Sequence, residues 1–112
     1  MKTINWQEAE QLKNPHGVDV RRLYNTEHAQ VAHIVLKPNE QLKKHITPVD
    51  AIFFVLEGLG IVEVGDEQKE VNQGTLIDSP AKIPHCWYNK SDAILRVLVI
   101  KTPRPEKAPK VL

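Results

Sequence analysis

Between Val18 and Ile100 the chain sustains no helical hydrophobic period; it breaks into short runs rich in β-branched residues, each ended by Gly, Pro, Asn or Asp. Strands are expected over residues 18–20, 30–36, 51–56, 61–64, 68–71, 75–77, 86–88 and 93–100. Gly65-Asp66 supplies the positive φ of a two-residue hairpin connection. Residues 51–56 are apolar on both faces, as a strand buried in a sandwich or barrel is. Many short strands at close spacing predict an all-β sandwich or barrel. A chain of 112 residues has room for one such domain and no second.

The flanks differ in texture. Asn5 and Glu8 have the spacing of a capping box, and Trp6, Ala9 and Leu12 share one face. A short N-terminal helix is therefore expected, ending before Asn14-Pro15 and packing outside the main body. The chain divides into a lead-in over 1–17, a barrel over 18–101 and a tail over 102–112. The tail, TPRPEKAPKVL, carries three prolines and is expected to be extended or disordered, or to wrap a second subunit. Fifteen basic residues against fourteen acidic ones give a net charge of +1, which excludes a dedicated electrostatic nucleic-acid binder. Cys86 is the single cysteine, so no intrachain disulfide forms and a reducing, cytoplasmic setting is expected. No apolar run suits a signal peptide or a membrane helix, so no membrane partner is expected.

Two stretches carry the chemistry. The first closes on Phe53-Phe54-Val55-Leu56-Glu57-Gly58; the second holds Gly74, Pro80, His85 and Asn89. At these offsets the chain resembles the cupin superfamily of small β-barrels, and the resemblance implies a double-stranded β-helix, or jelly roll. Two motif glycines are replaced: Asn39 stands in the turn before the first motif's histidine, and Lys82 stands in the second motif. His45 and His85 match two of the family's metal-binding histidines. Thr47 holds the other histidine position and Ala51 the glutamate position.

The resemblance implies a divalent metal (Zn, Mn, Fe or Ni) held by His45 and His85, but two imidazoles alone make a weak site. Asp50 is a further candidate ligand if the strand carries a bulge near Pro48; plain alternation points it to the other face. His33 shares parity with Val31 and Val35, and if that set faces inward it joins the pair as a third donor. Thr47, His33, Trp87 and Phe53 are expected to line the pocket. Trp87 and Tyr88 are also candidates for a ligand contact or a subunit interface, because each has a polar tip needing a partner. His16 and His28 read as exposed loop residues, and Arg21-Arg22 and Lys43-Lys44 as solvated charges. Cys86 lies next to His85 and so points to the opposite face, where it serves as a small buried hydrophobe. Two functions are open: metal-assisted chemistry of isomerase, lyase or dioxygenase type on a small polar molecule, or a non-catalytic module that binds a small molecule or a metal ion. A homodimer is expected, both from the resemblance and because Ile52, Phe54 and Leu56 form an apolar outer face.

Overall fold

A computed structural model describes residues 1–112. Ten strands follow in order: β1 (Asp19–Asn25), β2 (Gln30–Leu36), β3 (Gln41–Ile46), β4 (Asp50–Glu57), β5 (Leu59–Val64), β6 (Glu67–Asn72), β7 (Leu76–Ser79), β8 (His85–Tyr88), β9 (Leu95–Thr102) and β10 (Lys110–Val111). They form two five-stranded sheets, β1-β2-β9-β4-β7 and β10-β3-β8-β5-β6, with every pairing antiparallel. The two inner faces enclose a cluster of 13 buried apolar residues, in which Ile34, Leu36, Phe53, Val55, Val97 and Val99 come from the first sheet and Leu42, Val62 and Trp87 from the second. This is the sandwich that the alternating short strands predict, in the jelly-roll form that the resemblance implies.

The Gly65-Asp66 hairpin forms as its sequence requires: Val64 pairs with Glu67, and Gly65 has φ +60°. The two positions where the motif's glycines are replaced keep the backbone that glycine would adopt, since Asn39 has φ +71° and Lys82 φ +67°. Non-glycine residues occupy that region at a cost of roughly 1 kcal/mol, so the turns dominate the local sequence preference here. Gly58, between β4 and β5, is constrained further. Its φ is +91°, and a Cβ there would lie 2.4 Å from the carbonyl oxygen of Ile94 and 3.1 Å from Cα of Leu95. Both are backbone atoms and cannot move aside. Gly58→Ala is expected to cost about 3 kcal/mol or more, read as a shift of the urea midpoint at unchanged m-value.

Three expectations change. The N-terminal helix is only a 3-10 turn over Trp6–Glu8, capped by Asn5, whose side chain accepts from the Gln7 N–H. Asn14-Pro15 and Gly17 leave too few residues to propagate a helix, and the segment is held by other means. The guanidinium of Arg21 donates to the carbonyls of Trp6, Gln7 and Ala9 while its other side meets Asp19 at 2.9 Å, so Arg21 is a clamp and not a solvated charge. The tail returns to its own chain: Lys110 and Val111 pair with Ile46 and His45 of β3. Strand β3 itself was masked in the sequence by the polar pair Lys43-Lys44, and it carries a bulge between Leu42 and His45.

Candidate functional site

His45 on β3 and His85 on β8 are direct cross-strand partners, which explains how residues forty positions apart meet. Both rings are buried: His45 is 5% exposed and His85 2%. Their Nε2 atoms lie 2.9 Å apart, with the rings nearly perpendicular. His45 Nδ1 lies 2.6 Å from the carbonyl oxygen of Lys43. A carbonyl only accepts, so this nitrogen carries the proton. Burial lowers the pKa of both rings, to about 3 in His85, where the neighbouring His45 adds to the effect. Both rings are therefore neutral near pH 7. It follows that His45 Nε2 bears a lone pair and His85 Nε2–H donates to it. His85 Nδ1 then accepts from the hydroxyl of Ser79 at 2.6 Å. Thr47 Oγ1, 3.3 Å from His85 Nε2, is a secondary acceptor for the same proton. The hydrogen bonds run in one direction, from Ser79 through His85 and His45 to the Lys43 carbonyl.

These two rings sit on the wall of a cavity of about 480 Å³ between the sheets. Phe53 lines it and meets the His85 ring edge-on at 5.1 Å. The sequence reading placed His16 in an exposed loop, but this residue is half-buried and lines the cavity, its ring 5.0 Å from that of His45. Its Nδ1 accepts from the Lys43 N–H at 2.8 Å, so in the neutral ring Nε2–H is the free donor. Burial and the nearby His45 lower its pKa to about 4. Lys101 on β9 and Arg22 on β1 line the same cavity, and the strap Pro105–Pro109 borders it. Arg22 is exposed, as expected of a solvated charge, and it borders the cavity at its mouth. No local motif marks His16, Arg22 or Lys101; sheet pairings bring Arg22 and Lys101 to the cavity, and the Lys43 N–H holds His16 there.

Other predicted site residues lie elsewhere. His33 is not in the cavity. Ala32 and Ile34 face inward, and His33 packs on the outer side of the sheet, stacked on Trp6 at 4.3 Å and accepting from Arg96 Nε at 3.1 Å. Burial, then Arg96, lowers its pKa to about 4. Trp87 lies in the core beyond Phe53, at 5.5 Å between centroids, and does not line the cavity; its indole N–H is buried without a partner. Thr47 touches His85 from behind. Asp50 turns away and accepts from the Ala81 N–H at 2.8 Å, which anchors the loop before β8. Cys86 is fully buried on the far side of β8, where its thiol meets Glu63. Asn89 holds a turn, donating to the carbonyls of Leu36 and Ala93.

The donor set can be compared with what a divalent ion needs. Nitrogens about 2.1 Å from one ion lie roughly 3 Å apart when adjacent, and the two Nε2 atoms match that spacing. The rest of the site does not match. Nowhere does a group of three or more His, Cys, Asp or Glu side chains gather at metal-binding distance. The His16 lone pair is engaged by the Lys43 N–H, and the Lys101 ammonium shares the cavity. Two neutral donors beside a fixed positive charge do not fit a tightly held dication.

A ten-stranded jelly roll with an imidazole pair on the inner wall defines a small β-barrel of the cupin type. The cupin-domain family model matches residues 32–101, and the chain belongs to that family. An uncharacterized protein of Methanocaldococcus jannaschii is 30% identical over 89 residues, spanning 79% of this chain and 77% of that one. The crystal structure of an RmlC-like cupin with a double-stranded β-helix fold from the same organism has a TM-score of 0.75 at 27% identity, covering 88% of this chain and 91% of that one. The polyketide cyclase RemF of Streptomyces resistomycificus has a TM-score of 0.84 at 19% identity, covering 100% of this chain and 85% of that one, a likeness of fold alone.

Proposed function

We propose that this cupin binds a small polar molecule in the cavity and exchanges a proton with it through the His45–His85 pair. The observation that carries this reading is the 2.9 Å contact between two buried, neutral imidazoles. A lone pair and an N–H on adjacent rings form a ready donor–acceptor couple, and the Ser79 hydroxyl, donating to His85 Nδ1, holds His85 in the tautomer that carries its proton on Nε2. Chemistry of isomerase or lyase type needs such a couple. RemF, with the same fold, is a polyketide cyclase, which is compatible with proton-transfer chemistry in such a barrel. The second reading is a divalent ion on the same two nitrogens, favoured only by their spacing. We place the working form as a homodimer in the cytoplasm, joined through the half-buried Ile52, Phe54 and Leu56.

The test combines metal analysis of the purified chain with a thermal-shift screen of small hydroxy, keto and amino acids. His45→Gln and His85→Gln are run alongside. Metal well below one ion per chain is expected, together with compounds that raise the Tm of chelator-treated wild type and fail to raise that of either variant. Stoichiometric metal that disappears in both variants, with ligand binding only in loaded protein, would replace the proton-transfer reading with the metal one. Compounds that stabilise both variants as well as wild type would leave the pair without a role.

A further inference from the structure

The wall facing the imidazoles carries charge that no part of the protein neutralises. In the first sheet Gln30 pairs with Lys101, and Lys101 pairs with Ala51. Ala51 faces the core and contributes only a methyl group, which leaves the inner surface beside it to the lysine side chain. Arg22 pairs with Ala32 one row away and reaches the mouth of the same cavity. The ion pairs of Lys and Arg side chains are Arg21–Asp19, Lys44–Glu63 and Arg96–Glu57; Lys101 and Arg22 belong to none of them. Four of the lining residues are basic, Lys13, Arg22, Lys101 and Lys107, against the single acid Glu106 of the strap. A largely enclosed Lys101 ammonium with no carboxylate paired to it, next to the exposed guanidinium of Arg22, destabilises the empty protein. Burial and the charge of Arg22 both hold the Lys101 pKa below its ordinary value. Lys101, His16, His45 and His85 line one cavity, so whatever binds the ammonium shares that cavity with the imidazole pair.

We infer that Lys101 and Arg22 form the recognition site for the anionic end of the ligand, a small organic carboxylate whose remaining polar group meets His45 and His85. The inference names the ligand class for the cavity proposed above and rests on that reading. The cations supply the charge-assisted hydrogen bonds that a carboxylate needs. Phe53 and Val99, adjacent across the ladder, supply an apolar floor for its carbon skeleton.

Titration of the whole ¹⁵N-labelled chain with matched pairs tests it: lactate against lactamide, benzoate against benzamide, and inorganic phosphate as a third arm. Carboxylates are expected to shift the resonances of Gln30 and Lys101, and the amides to leave them in place. Lys101→Met is expected to weaken carboxylate binding by about tenfold or more, the size of one charge-assisted hydrogen bond, with Arg22→Gln weakening it less and Lys101→Arg retaining part of it. Removing the unpaired ammonium is also expected to raise the Tm of the ligand-free protein, which shows at once that the variant folds. Amides that bind as well as carboxylates, carboxylates that ignore Lys101→Met, no response to either carboxylate, or phosphate binding more tightly than both would each overturn the assignment. His85→Gln separates the two proposals. Carboxylate binding that survives there and still depends on Lys101 keeps the anion site and removes the imidazole pair from recognition. Binding that needs His85 but does not discriminate carboxylate from amide does the reverse.

Discussion

Acidification from about pH 7.5 to about pH 4.5 is expected to remove most of the stability of this fold. The largest contributions come from two histidines buried neutral, His33 at 1% exposure with a pKa of about 4 and His85 at 2% with a pKa of about 3, and the lowered His16 and His45 act in the same direction. In the unfolded chain each takes up a proton below about 6.5. In the folded chain neither does until the pH approaches its own lowered value. The unfolded state therefore binds more protons throughout that window, and stability falls as the pH falls. Each ring contributes about 1.4 kcal/mol per pH unit between its two pKa values, so the pair removes on the order of 5 kcal/mol by about pH 4.5. That is comparable to the whole stability of a small domain. Urea unfolding at stepped pH measures it. A flat profile between the two ends would mean that both rings are solvated or protonated in the native protein. His33→Asn should make the slope shallower by one histidine's share, with His85, His16 and His45 supplying the rest.

Trp87→Ala is the substitution expected to cost the fold most. The indole is 1% exposed and packs on Phe53. It also lies against Gly60, where even an added Cβ would come within 3.0 Å of the ring. Its loss leaves a void between the sheets, and such truncations cost about 3–5 kcal/mol. Trp87→Phe is expected to cost far less. The buried indole N–H has no partner, so the phenyl ring keeps most of the packing and sheds a desolvated donor. Equilibrium denaturation of the two variants reads the difference. Equal losses in Ala and Phe would mean that Nε1 has a partner after all, and that the aromatic volume is not what holds the sheets together.

The core of the site was legible in the sequence because it is local. His45 and His85 stand at the histidine positions of the two motifs by which the chain resembles the cupins, and each motif occupies a short stretch of sequence. Phe53 follows from simple alternation along β4. The errors arose where a residue's direction depends on something far away in the chain. His33 was read inward because Val31 and Val35 share its parity, yet Ala32, Ile34 and Leu36 form an equally apolar set and are the ones that face the core. Trp6 supplies the cover that makes the outer parity tolerable to His33, and nothing near residue 33 announces it. His16 was read as solvated because a loop histidine beside Gly17 usually is; a backbone N–H from Lys43 draws it to the cavity.

The two motif histidines were legible through the resemblance to the cupin motifs; the sequence alone determined eight of the ten strands, the hairpin at Gly65-Asp66 and the face on which Cys86 lies. These follow from backbone sterics and from the two-residue period of a strand, which act between near neighbours. Tertiary structure alone decided which face of β2 meets the cavity, how the tail returns to β3, and that Lys101 and Arg22 share a wall with no carboxylate paired to either. A period-two pattern defines two faces but does not choose between them when both are apolar. That choice is made only when a second sheet closes over one of them, and with it the charge of the cavity is set.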